Sequence, residues 1–232
     1  MTPDHPNLRS YFAEPTIDRS THPIDPWRWI ETAPPTSDLG VAESVFTVGN
    51  GYLGVRGNPE EGRDYTLNGT YVNGLHETWN IQHAEDAYGL ARVGQSIVNA
   101  PDAKTIRIYV DDEPFRISRA DLSYYERSLD FRDGVLRRSI EWRTPAGKRV
   151  LMDFTRLVSL TDRHLGIEEV RIVLPEDSAP VMLSSQIMNR QDGQDEFGSA
   201  TSASRPASPE DVTQATVNTG SDPRLSLIHI SE

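Results

Sequence analysis

The residues best equipped for chemistry cluster between Gly74 and Arg92, where His76, Glu77, His83, Glu85 and Asp86 form the one dense set of acid–base or metal-binding side chains. General acid–base work or metal binding needs two or three such groups to converge on one atom. The spacing His-x₆-His-x-Glu matches no strong metal signature, the zincin pattern included. Trp79 and Tyr88 lie in the same stretch. Their rings have flat faces that stack on sugars and, equally, the bulk that fills a core or an interface. The segment shows no strand alternation, so it is expected to be a loop turned toward a substrate or a neighbouring domain, with His76, Trp79, His83, Glu85 and Arg92 as its outward residues.

Other motifs read more simply. Gly49-Asn50-Gly51-Tyr52-Leu53-Gly54 matches G-x-G-x-x-G and follows an expected strand at Ser44–Val48. A dinucleotide site needs a helix immediately afterwards to hold the pyrophosphate on its N-terminal amides. Gly57 and Pro59 follow instead, so the motif is expected to be a glycine-rich turn and bulge. Asn68-Gly69-Thr70 is a formal glycosylation sequon but fits a turn between short strands. The acidic runs Asp111-Asp112-Glu113 and Asp192 to Glu196 read as solvated turns. Neighbouring acids on an exposed turn cannot face each other across a sugar, which glycoside hydrolysis requires. No G-x-S-x-G nucleophile elbow occurs.

The elements that would carry such residues are strands. Ile106, Ile108 and Val110 share one face of a period-two pattern, as do Val150, Met152 and Phe154. Thr144-Pro145-Ala146-Gly147 separates two strand-like runs with hairpin turn chemistry, and Leu165–Leu174 and Val181–Ile187 add two more. Nine to twelve strands exceed one small open sheet. The fold class expected is all-β: a large two-sheet antiparallel super-β-sandwich, galactose-mutarotase-like. Residues 1–42 carry Pro3, Pro6, Pro15, Pro23, Pro26, Pro34 and Pro35 and read as an extended lead-in anchored by Trp27, Trp29 and Ile30. The sandwich takes residues 43–198. Residues 199–224 are poor in large apolar side chains and read as a flexible linker. Residues 225–232 follow abruptly and read as a non-native tail, Ser226–Glu232 resembling a translated sequencing adaptor.

Composition narrows the classes of function. The 232 residues carry 35 acidic against 23 basic side chains, for a formal charge of −12, which argues against a nucleic-acid partner. The absence of cysteine rules out disulfides, thiolate nucleophiles and cysteine-held metals. The first thirty residues contain no apolar run, so neither signal peptide nor membrane anchor is expected there, and the cytoplasm is the default address. On its residues alone the chain reads as a β-sandwich without an identifiable catalytic centre.

Several ordered blocks then resemble one family. The run from Glu43 to Glu61 is similar to the opening of glycoside hydrolase family sixty-five, which holds phosphorylases of maltose, trehalose, kojibiose and nigerose together with acid trehalases. Gly69–Gly74, His76–Trp79, Val98–Asp102, Leu129–Leu136, Trp142–Gly147 and Ser184–Gly193 match in the same order, so the resemblance covers about residues 24–198. It implies an N-terminal sandwich ahead of a helical linker, an (α/α)₆ barrel and a small C-terminal sheet domain. It also implies an inverting reaction in which a barrel glutamic acid protonates the glycosidic oxygen while phosphate or water attacks. None of the matched blocks holds that acid. The expectation is therefore a scaffold domain with no catalytic residue and no cofactor, inorganic phosphate being a co-substrate of the complete enzyme. Its partners would be its own helical barrel, an α-linked glucose disaccharide and, in a homodimer, a second copy. The alternative expectation is a free-standing carbohydrate-binding or assembly module.

Overall fold

The computed structural model describes residues 17–36, 39–62, 69–85, 87–176, 178–188 and 212–217. Its strands are β1 (Arg28–Glu31), β2 (Val48–Gly49), β3 (Leu53–Val55), β4 (Thr70–Asn80), β5 (Val93–Asn99), β6 (Asp102–Val110) and β7 (Glu113–Pro114). They continue with β8 (Asp121–Asp130), β9 (Val135–Arg143), β10 (Arg149–Val158), β11 (Gly166–Val173), β12 (Val181–Met188) and β13 (Val212–Val217). One short helix, α1 (Leu39–Val45), precedes β2. Every strand pairing is antiparallel. Among the described residues no helix is long and apolar enough to cross a membrane.

The strands make a five-stranded sheet ordered β1-β8-β9-β10-β11 and two four-stranded sheets, β13-β12-β6-β7 and β2-β3-β4-β5. Register fixes which side chains of the large sheet share a face: Tyr125 opposes Ile140, Arg127 opposes Arg138, and Leu129 opposes Leu136. One end of that face packs with the β6 sheet through Ile106, Ile108, Val110, Trp142, Met152 and Phe154. The other end packs with the β2–β3 end of the third sheet through Phe46, Val48, Leu53, Leu129, Leu136 and Val158. The two smaller sheets therefore form one split layer against a single face, each over its own apolar cluster. The opposite face of the large sheet is solvated and carries polar pairs such as Ser139 to Asp153 at 2.8 Å and Arg149 to Glu141 at 2.8 Å. This one-sided burial is what an alternating antiparallel strand encodes.

The Gly-rich motif is the β2–β3 turn, with Gly51 at φ 87°. Asn50 holds it: its Oδ1 accepts from the amides of Tyr52 and Leu53 at 2.9 Å each, and its Nδ2 donates to the carbonyls of Ser159 at 2.6 Å and Arg163 at 3.0 Å. Gly57 is required by close approach, since a Cβ there would sit 2.5 Å from the Phe46 Cβ.

Three expectations need correction. The lead-in is not simply extended: residues 28–31 are the edge strand of the large sheet, and α1 runs over 39–45, where a strand from Ser44 was expected. No proline between Pro35 and Pro59 blocks the helix, and its Glu43 is paired with Arg56 at 3.1 Å. The segment 74–92 is not all loop, since β4 and β5 extend over Thr70–Asn80 and Val93–Asn99 as a hairpin. Finally, β13 falls inside the expected linker and pairs with β12 from Leu183↔Val217 to Met188↔Val212. Backbone hydrogen bonds to an open edge need no apolar side chain, and four of its six residues are β-branched. The expected tail, residues 225–232, and the sequon residue Asn68 lie outside the described residues.

Candidate functional site

Two features stand out. The first is the projecting half of the β4–β5 hairpin. Thr70–Val72 of β4 pair with β3 but, among the described residues, 76–80 pair with β5 alone, from His76↔Ile97 to Asn80↔Val93. Apart from the half-buried Gly94 this ribbon is exposed and belongs to neither apolar cluster, yet it and the adjoining Leu75 carry the large apolar side chains Leu75, Trp79, Val93 and Ile97. Two-stranded ribbons are marginal in water by themselves, so these residues mark a surface suited to burial against something else.

The five expected site residues all lie on or beside this ribbon. His76 is exposed on β4 opposite Ile97. Trp79 is 51% exposed and lays its indole across Gly94, where a Cβ would meet the ring at 2.4 Å. His83 and Glu85 are exposed in the connecting loop, with His83 Nε2 2.7 Å from the Ala91 carbonyl. Arg92 closes the loop, its carbonyl accepting from the Ile81 amide at 2.9 Å. The hairpin thus brings these residues to one projection of the molecule without assembling them into a reacting centre. Among the described residues no group of three or more His, Asp or Glu is placed to hold a metal ion.

The second feature is a buried ionic junction between the two apolar clusters. Reading across the large sheet, Glu31 on β1 opposes Arg127 on β8, which opposes Arg138 on β9; further along, Arg156 on β10 opposes Glu168 on β11. All five are at most 4% exposed. Arg127 donates through Nε to Glu31 at 3.0 Å and through Nη1 to the Gly57 carbonyl at 3.0 Å. Arg138 forks onto Glu61 at 3.1 and 2.6 Å and also contacts Glu60. Arg156 donates to the carbonyls of Arg56 and Asn58 at 3.0 and 3.1 Å, to Glu60 at 2.7 Å, and to both oxygens of Glu168. Three arginines of one sheet thus hold the backbone and carboxylates of the segment that leads from β3 toward β4. On the β6 side Lys104 pairs with Asp102 at 2.7 Å. The guanidiniums of Arg127 and Arg138 lie over the rings of Phe46 and Phe154 at 4.0 and 4.2 Å, a favourable cation–π placement in a desolvated site.

The electrostatics follow from that burial. Burial alone would raise the Glu60 carboxyl, but Arg138 and Arg156 overcome it and hold the group below the ordinary carboxylate range. Glu168 goes the other way: burial, with Glu60 adding to it, outweighs Arg156 and pushes it up to about 8. Burial pulls Lys104 down despite Asp102, and burial raises Tyr125, whose hydroxyl donates to Glu31 at 3.0 Å. A cavity of about 40 Å³, partly open to solvent, lies against this junction and is lined in part by Lys104, Arg156, Glu168 and Thr70. The sequence reading missed the junction. Its signal was Arg138, Arg156 and Glu168 standing at inward positions of otherwise apolar alternating strands.

With the geometry in place, comparison with known proteins gives the family. The model of the glycosyl hydrolase family 65 N-terminal domain matches residues 29–223. The chain belongs to this family. An uncharacterized glycosyl hydrolase of Mycobacterium tuberculosis is 38% identical over 176 residues, covering 76% of this chain and 22% of that protein. The α,α-trehalose phosphorylase of Thermoanaerobacter brockii is 37% identical over 148 residues, covering 62% of this chain and 19% of the enzyme. A solved structure described as a putative kojibiose phosphorylase from human microbiome superposes with a TM-score of 0.65 at 24% identity, over 72% of this chain and 22% of that one. That likeness bears on the fold alone. This family 65 chain therefore spans about a fifth of the length of the curated relatives it matches.

Proposed function

We propose that this chain is the N-terminal scaffold domain of an inverting disaccharide phosphorylase or glycosidase acting on α-glucosides, with the chemistry carried by a helical barrel outside these residues. The observation that carries the reading is the match to a family 65 N-terminal domain, together with an alignment that covers only about a fifth of the relative's length. The geometry agrees with it. The buried carboxylates Glu31, Glu43, Glu60, Glu61, Asp102, Asp130 and Glu168 each contact an arginine or lysine, so they do not form a pair open to a sugar and a water, as inversion requires. The ribbon at 76–80 and 93–97 supplies the docking surface for the barrel, and His76, Trp79, His83, Glu85 and Arg92 face it. The domain takes no cofactor; phosphate or water and the disaccharide bind in the barrel. The proposed setting is the cytoplasm.

The test is an assay of the 232-residue chain on maltose, trehalose, kojibiose and nigerose, with and without inorganic phosphate, reading release of glucose 1-phosphate and of glucose. No turnover is expected with any of them. Turnover of one disaccharide by the purified chain would refute the scaffold reading.

A further inference from the structure

Among the described residues, five carboxyl groups close on four cations in the junction: Glu31, Glu60, Glu61, Asp102 and Glu168 against Lys104, Arg127, Arg138 and Arg156. All nine are at most 5% exposed. An unbalanced charge sealed between apolar clusters is costly, and a carboxylate so placed is neutralised rather than kept. The place for that neutralisation is specific. Glu60 Oε1 and Glu168 Oε1 meet on the same nitrogen, Nη2 of Arg156, at 2.7 and 3.0 Å. Two carboxyl groups held on one nitrogen titrate as a coupled pair, so that ionising one disfavours ionising the other. The cavity alongside, lined by Glu168, Arg156 and Lys104, has room for water and gives that proton a route to solvent.

We propose that the junction is a proton-binding site: one proton held on Glu168, beside the ionised Glu60, balances its charge in the folded chain, and release of that proton at alkaline pH loosens the hold of Arg156 on the segment at 56–60. The pair is enclosed by charged groups from several elements, with Glu61 beside Glu60 sharing Arg138. Arg156 of β10 lies between the two carboxyls, Arg138 of β9 contacts Glu60 from the other side, and Asp102 and Lys104 of β6 complete the enclosure near the cavity. Arg138 and Arg156 keep Glu60 ionised in spite of its burial, so the proton resides on Glu168, which burial raises to about 8 from an ordinary 4.5. Once that proton leaves, Arg156 faces two full negative charges and the junction carries an excess anion.

The sign of the effect follows. The folded state binds the Glu168 proton more tightly than the unfolded chain does, so this contribution to stability is fully present below about 4.5 and is lost as pH rises to about 8. The test is denaturant unfolding of the chain and of Glu168→Gln, whose amide stands in for the neutral carboxyl, at steps across that range and one unit beyond. The folding constant of the unsubstituted chain is expected to fall by up to about tenfold per pH unit relative to the variant, with the two running parallel above pH about 8. Parallel profiles throughout would overturn the proposal. Infrared spectra of the unsubstituted chain give an independent reading: a protonated carboxyl band that persists at neutral pH and fades through pH about 8 supports it, and absence of that band at neutral pH overturns it.

Discussion

Arg138 forks onto Glu61, contacts Glu60 and stacks on Phe154 while only 3% exposed. Replacing it with methionine keeps much of the volume but leaves two buried carboxylates short of a cation, so Arg138→Met is expected to cost about 3–5 kcal/mol in urea unfolding. Adding Glu61→Gln to that variant should recover part of the loss, because the penalty lies in the stranded charge rather than the missing packing. No recovery would mean that the arginine acts through its hydrocarbon stem alone. Such a residue is hard to read in a sequence. Arg156 continues the apolar series Val150, Met152, Phe154, but a charge at that point reads equally well as the exposed end of a strand. What decides between the two is a partner such as Glu60, 96 positions away, which the local pattern does not encode.

At the scale of elements, legibility tracked burial contrast. β6, β10 and β11 each bury one face, so their alternation is written in the sequence and read directly. The projecting ribbon packs neither face on a core, so nothing imposes a period of two on residues 76–80, and the stretch read as a loop. β13 was hidden for a related reason: a strand added at an edge through its backbone needs few large apolar residues. The ribbon's independence from the core has a measurable consequence. In Gly94→Val the new side chain would displace the Trp79 indole now covering Gly94. The ribbon should lose about 1–3 kcal/mol of local stability while global unfolding moves by less than about 0.5 kcal/mol. Faster limited proteolysis in the connecting loop, residues 81–92, with an unchanged urea midpoint is the expected outcome; a shifted midpoint would place the ribbon inside the cooperative unit.

At the scale of the whole molecule, two apolar clusters and the charged junction between them organise one split-layer sandwich, and the ribbon stands outside that unit. A family 65 N-terminal domain built this way buries its charged junction in the interior and leaves Trp79, Val93 and Ile97 exposed at one surface; the proposed scaffold role has the barrel cover that surface. The direct test is amide hydrogen exchange along β4 and β5, in the chain alone and in a chimera that joins it to the remainder of the Thermoanaerobacter brockii trehalose phosphorylase. Amides of residues 76–80 and 93–97 should exchange quickly in the isolated chain, since a ribbon open on both edges opens at little cost. Docking predicts that they slow by about tenfold or more in the chimera while the β9–β10 amides stay as they were; equal rates in both proteins would contradict the scaffold account.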